Sequence, residues 1–281
     1  MSEQDAFYNN ILKEMESGKL VLPTLPEVAL QVREVAEDPD ATAQQLADII
    51  TTDAALSARL LKIANSPLYR GRVAIDSIQM AVSRLGLSMV RNLVTSLVME
   101  QMFQATSNRL EKRLRALWEQ STKVAAASQV IAAKLPGIKT DEAMLAGLIH
   151  AIGVLPILMK ADEDGELIKD SKKLDQLIDN LYPRLGATIL ENWKFPDNLI
   201  AVAREHANLN RNSGDNGPDL VDVVQVAVLK SYNGTDKALD PLTLNKVVAF
   251  KQVGADTGFS VEELDEDSEE YREALALFNK I

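Results

Sequence analysis

The 281-residue sequence contains no cysteine, which excludes disulfides, thiolate zinc sites, iron–sulfur ligation and a cysteine nucleophile. Histidine is almost as scarce, with His150 and His206 alone. A hydrolytic metal centre takes about three or more protein ligands per ion, so two histidines need carboxylates beside them to build one. Aromatic residues make up 5%, too few for a large antiparallel sheet, which favours aromatic and β-branched side chains. No uninterrupted apolar run approaches the length of about 20 residues that a membrane span needs. The start, Met1-Ser2-Glu3-Gln4-Asp5, is acidic where a secretory leader is basic. These absences lead us to expect a cytoplasmic protein that spans no membrane. Net positive charge is missing too. A formal charge of -11 and a pI near 4.8 argue against wholesale binding to nucleic acid or anionic lipid, since a polyanion is repelled at long range. Glycine-rich phosphate loops, a nucleophile elbow and a dinucleotide fingerprint do not occur, and no repeat of 20 to 50 residues suggests a solenoid.

What is present is apolar periodicity. Hydrophobic residues make up 46% of the chain, enough for a continuous core, and Ala, Leu, Val and Ile recur at helical spacing. Phe7, Ile11, Leu12 and Met15 mark a short helix ended by Gly18. Leu22-Pro23-Thr24-Leu25-Pro26 suits a helix entry leading to Val28, Val32 and Val35, and Asp38-Pro39 breaks that helix. Thr42 with Gln45 has capping-box spacing, Asp53 can cap the next helix, and Ser77 opens another that ends at Gly86 in a left-handed position before Ser88 restarts. The first 105 residues thus read as about six short helices. Residues 109 to 135 carry one long periodicity, compatible with one helix or two with a kink, and Ala143 to Met159 is almost wholly apolar apart from His150. Further helices are expected over 172 to 193, 196 to 206, 219 to 232 and 242 to 254. Ser260 with Glu263 and the acidic run from Asp265 to Glu270 precede a last helix through Tyr271, Leu275 and Phe278. Asn208 to Pro218 is the one stretch of loop composition longer than a turn, a candidate flexible loop. Trp118 and Trp193 read as core anchors.

Leu145-Ala146-Gly147-Leu148-Ile149-His150-Ala151-Ile152-Gly153 resembles the signature of the HD phosphohydrolase superfamily, a buried helix ending in His-Asp before a small residue. Here the pair is His150-Ala151. Following the resemblance along the chain, the upstream histidine of that pattern, after a tryptophan and before a serine, falls on Gln120 in Trp118-Glu119-Gln120-Ser121. The downstream histidine, four residues before a glycine and leading to a Trp-x-x-Pro turn, falls on Tyr182. The double histidine of related enzymes corresponds to Glu205-His206, and the last aspartate aligns with Ala227-Val228. Neutral glutamine is a weak ligand, phenol stays protonated to a pH of about 10, and alanine and valine offer nothing. A complete dinuclear site cannot be assembled from Gln120, His150, Ala151, Tyr182, Glu205, His206 and Val228. The motifs of the first half, Leu22 to Pro26, Ile49 to Tyr69 and Ile78 to Gly86, narrow the resemblance to the HDOD family, the HD-related output domain of bacterial signalling proteins. It covers roughly residues 20 to 215. The resemblance implies an all-α module, usually inactive as a hydrolase, that acts by binding other components.

The expectation is therefore an all-α protein. A helical subdomain over 1–105 is followed by a degenerate HD-like bundle over 106–215 and a helical extension over 216–281. No catalytic residue, metal or cofactor is assigned. His150 reads as a core histidine hydrogen-bonded to a neighbour, His206 as a solvated helix end, and Gln120 and Tyr182 as ordinary helix residues or partners across the old metal cavity. Residues 59 to 91 hold Arg59, Lys62, Arg70, Arg72, Arg84 and Arg91 against the single acid Asp76. That segment is either an anion or acidic-partner surface or a set of charges that neutralises the acidic second half. With no fused input or output domain in view, a signalling protein partner in trans or a small anionic ligand is expected. Two alternatives stand: a phosphohydrolase rearranged around His150, His206 and Glu119, Asp141, Glu142 or Glu205, and a nucleotide-binding sensor without hydrolysis.

Overall fold

The computed structural model describes residues 3–20, 27–69, 71, 73–103, 107–214, 217–257 and 268–278, and among them helix is the only regular structure. The first six helices are α1 (Glu3–Glu16), α2 (Glu27–Glu37), α3 (Ala43–Thr51), α4 (Ala54–Ala64), α5 (Ile78–Leu85) and α6 (Leu87–Met102). Their boundaries follow local chemistry. Thr42 and Gln45 form the full capping box of α3, while Asp53 and Ser77 accept from the third amides of α4 and α5. Gly86 ends α5 with φ +85° and ψ 157°, an extended glycine conformation instead of the left-handed helical one expected, and it also precedes α6, which starts at Leu87. The expected entry at Leu22 to Pro26 lies outside the described residues, as do Arg70, Arg72, the Ser260–Glu263 box and Asp265 to Asp267.

The second half is built on α7 (Asn108–Ala132), one unbroken helix. It is followed by α8 (Thr140–Ile149), α9 (Val154–Glu163), α10 (Ser171–Asn192), α11 (Asp197–Glu205) and α12 (Leu220–Ser231). The expected helix over 242–254 divides into α13 (Pro241–Leu244) and α14 (Val248–Thr257), and α15 (Glu269–Ala276) closes the described chain, capped by Ser268 with Glu269 and Glu270 in its first turn. An 18-residue window within residues 140–163 reaches a mean hydropathy of 1.8, enough to match a membrane span in composition although no uninterrupted apolar run is that long. The turn at 150–153 splits the segment into α8 and α9, and 89% of that window is buried inside the protein.

One apolar core runs through both halves, from Ile11 and Val32 through Leu93 and Met99 to Ile149, Leu185 and Val224. Trp118 of α7 packs against Phe103, just past α6, and Phe278, just past α15. Buried polar contacts fix the register of the halves. Arg33 of α2 donates to the carbonyls of Trp193 (2.9 Å) and Lys194 (2.7 Å) at the end of α10 and stacks 4.1 Å from the Phe195 ring. Asn92 of α6 donates to Asp141 of α8 at 2.7 Å, and Gln129 of α7 to the Tyr69 hydroxyl at 2.7 Å. Asn65 closes the loop after α4 by donating to the carbonyls of Leu61 and Ile75 and accepting from the Ile75 amide.

Helices α8 and α9 sit closest to their neighbours where glycine removes the side chain. A Cβ on Gly147 would lie 2.8 Å from the Val124 carbonyl and Ala125 Cα of α7, and one on Gly153 would lie 2.0 Å from the Tyr182 carbonyl and 2.4 Å from the Gly186 nitrogen of α10. Both obstacles are backbone, so neither helix can yield locally. Gly153→Ala is expected to destabilise the fold by about 3 kcal/mol or more, whereas Gly165→Ala, with open space around its Cβ, should stay within about 0.5 kcal/mol. Urea unfolding of the two variants checks the contrast.

Candidate functional site

Five of the seven positions drawn from the motif, Gln120, His150, Ala151, Tyr182 and His206, come together around the turn between α8 and α9. His150 caps α8 and directs Nδ1 to the Gly147 carbonyl at 2.6 Å, while His206, just past α11, directs Nδ1 to the Val202 carbonyl at 2.7 Å. A carbonyl accepts only, so each ring carries its proton on Nδ1 and leaves Nε2 as a lone pair. The rings meet edge to face with centroids 5.0 Å apart. The Tyr182 hydroxyl, 2.9 Å from His206 Nε2, is therefore the donor in that hydrogen bond. Burial holds both imidazoles neutral, pushing His206 down to about 4 and His150 down to about 3, the latter also by its nearness to His206. Burial likewise raises the Tyr182 phenol above its ordinary value, which keeps its proton available to donate. His206 is 1% exposed, so the expectation of a solvated helix end is corrected: α12 covers it, and Gln225 of α12 donates to its carbonyl at 2.7 Å.

Around this pair opens a cleft of about 350 Å³ between α7, α9, α10 and the segment after α12. Gln120 lies in its wall and donates through Nε2 to Ser231 Oγ at 2.7 Å, while Ser231 passes its own proton to the Val228 carbonyl at 2.6 Å. Ala151 lines the cleft without a polar atom on its side chain. Val228 is 5% exposed and belongs to the apolar core, so the last expected ligand position is filled by packing. At the mouth Arg113 pairs with Asp175 at 2.7 Å and Lys237 with Asp179 at 3.0 Å, beside Asp236 and Tyr232. None of these rim residues stood out in the sequence. The signal was there: Arg113, Leu117 and Gln120 repeat at i, i+4, i+7 on α7, as Asp175, Asp179 and Tyr182 do on α10.

The residues do not fit a catalytic metal. Among the described residues no group of three His, Asp or Glu side chains is placed to hold an ion. The four carboxylates proposed to complete a rearranged site are engaged elsewhere or turned outward. Asp141 accepts from Asn92, Glu142 from Asn198 at 2.7 Å, Glu205 binds Arg211 at 2.9 Å, and Glu119 is exposed. The same Arg211 reaches Asp219 and Asp222, and Gln225 also donates to the Asn208 carbonyl. Arg211 and Asn208 of the 208–218 segment are thus bonded to the helices that flank it.

The described arginines of the basic segment have separate partners. Arg59 is paired with Glu100 at 3.0 Å, Arg84 donates to the Val73 carbonyl at 2.6 Å, and Arg91 contacts Asn92 at 3.3 Å near Arg33. Arg59 and the exposed Lys62 do share a groove with Asn65, Ser66 and Pro67, but Glu273 of α15 lines it as well.

The family model of the HDOD domain matches residues 22–209. A crystal structure from Shewanella amazonensis SB2B, named as a candidate metal-dependent phosphohydrolase, is 30% identical over 99% of this chain and all of its own, with a TM-score of 0.80. An HDOD domain protein of unknown function from Geobacter sulfurreducens is 22% identical over 95% of this chain and 96% of its own, with a TM-score of 0.70, and shares the fold. An uncharacterized protein of Treponema pallidum (strain Nichols) is 27% identical over 202 residues, which are 67% of this chain and 38% of the relative's length.

The imidazole environment has a measurable consequence. Because the folded-state values lie below the ordinary 6.5, the unfolded chain binds more protons at acid pH. The stabilisation is present in full above pH 6.5 and is lost as pH falls from there towards about 4 and about 3, at up to about tenfold in the folding constant per pH unit for each ring. Long-range ¹⁵N–¹H spectra of the two imidazoles should show both neutral and protonated on Nδ1, with no titration between about pH 5.5 and 8. A ring that titrates near 6.5 contradicts the assignment.

Proposed function

The chain belongs to the HDOD family, and on that premise we propose that it is a non-catalytic signal-transduction module that works by binding instead of hydrolysis. The observation that carries this reading is the hydrogen bond from Tyr182 to His206. A metal needs the imidazole lone pair, and here the phenol proton occupies the His206 lone pair at the heart of the old ligand set. The residues that once bound ions have been replaced by a neutral polar network and by core packing at Ala151 and Val228.

The likeness to a candidate metal-dependent phosphohydrolase extends over the whole chain, which supports a common scaffold. It does not supply the ligands: among the described residues no three His, Asp or Glu side chains are grouped to hold an ion for the alternative of a hydrolase rearranged around His150 and His206, and Asp175 and Asp179 of the cleft are paired with Arg113 and Lys237. The nucleotide-sensor alternative relied on the basic segment, whose described arginines Arg59, Arg84 and Arg91 are bound to separate partners. The partner in this reading is a signalling protein supplied in trans, with the cytoplasm as the place of action.

Elemental analysis of protein purified without chelator, followed by phosphatase and phosphodiesterase assays with manganese, tests it. The expected result is no stoichiometric metal and no turnover. Turnover that His150→Ala abolishes overturns the proposal.

A further inference from the structure

The polarity of the cleft can be assigned atom by atom. His150 is 2% exposed, its Nδ1 proton is committed to Gly147, and its Nε2 lone pair has no partner among the described residues. Gln120 turns its amide nitrogen to Ser231, because the Ser231 proton is already given to Val228, so Oε1 is the free end of the amide. Tyr182 spends its proton on His206 and keeps the phenolic oxygen as an acceptor. Three neutral groups at one cleft thus offer acceptor atoms at His150 Nε2, Gln120 Oε1 and the Tyr182 oxygen against one spare donor, the second N–H of the Gln120 amide. A ligand that brings N–H donors matches the larger set.

The mouth biases the charge in the same direction. Arg113 and Lys237 are each neutralised by an aspartate, and Asp236 adds a carboxylate with no cation partner among the described residues. An anionic ligand would meet lone pairs inside and net negative charge outside. The small anionic ligand expected from the basic segment therefore does not suit this cleft. Its volume of about 350 Å³ falls in the range of small-molecule sites, and Leu117, Val154, Leu158 and Ile178 give it apolar walls.

We propose that the cleft binds a small organic cation carrying N–H donors on an apolar body, of the amidinium or primary ammonium class, with His150 Nε2 and Gln120 Oε1 as its acceptors. This rests on the reading that no metal holds His150. The cation takes the place of the ion in the ancestral scheme, but through hydrogen bonds that only a donor-bearing molecule can make.

Benzamidinium and benzoate, alike in shape and opposite in hydrogen-bonding sense, are the probes. Calorimetry should detect benzamidinium and not benzoate, and benzamidinium should move the Nε2 resonance of His150 in a spectrum holding only two imidazoles. Gln120→Leu, which preserves bulk in the wall, should weaken benzamidinium by about tenfold, as expected for one hydrogen bond to a charged group. Benzoate binding as tightly as benzamidinium, a His150 resonance that neither moves, or full affinity in Gln120→Leu overturns the proposal. A parallel titration with manganese alone separates the two readings. Stoichiometric paramagnetic broadening of His150 sinks the metal-free reading itself, whereas silence from both manganese and benzamidinium removes only the ligand.

Discussion

The arrangement depends on a backbone contact that only glycine permits. Gly147 lets α8 touch the backbone of α7, and Gly153 lets the start of α9 touch α10 at Tyr182 and Gly186. His150 lies between these two contacts in sequence and in space. It is wedged at a turn whose two sides are each fixed against a long helix. The cleft is then a by-product of the same packing: α7 brings Gln120, α10 brings Tyr182, and neither can shift without a clash between main chains. Side-chain packing around this contact is ordinary, with leucine, isoleucine and valine filling the space from both halves.

Much of the fold was legible because its punctuation is local. Thr42, Asp53 and Ser77 cap helices through their own side chains, and such signals need no tertiary information. The first half accordingly resolves into the six helices its spacing suggests. Splitting 242–254 into two helices was not legible, since Asn245 to Val247 carry no strong breaker. The ties of the 208–218 loop were not legible either. Its composition is that of a mobile segment, yet the one arginine within it reaches three carboxylates supplied by flanking helices.

The site was half legible. The motif places Gln120, His150, Tyr182 and His206, and the structure assembles those four. Their hydrogen-bonding senses could not be read from sequence, because each is fixed by a carbonyl or hydroxyl distant from the motif, such as Val202 for His206 and Ser231 for Gln120. The basic stretch illustrates the limit of counting charges. Its excess is real in sequence, but the helices point Arg59, Arg84 and Arg91 towards unrelated partners, one of them on the acidic side of the ledger at Glu100. Periodicity along α7 and α10 was the more informative signal for the rim.

Arg33 has a mechanical consequence. Its guanidinium grips the terminal carbonyls of α10, a helix of 22 residues and roughly 33 Å. The middle of that helix forms one side of the cleft and its end is anchored in the other half of the protein. It acts as a beam clamped at one end and loaded at mid-span. Besides its packing on α9, α11 and α1, the helix is held at that end by a cation stacked on Phe195. Through Arg33 the helix that walls the cleft is thus tied directly to α2 of the first half.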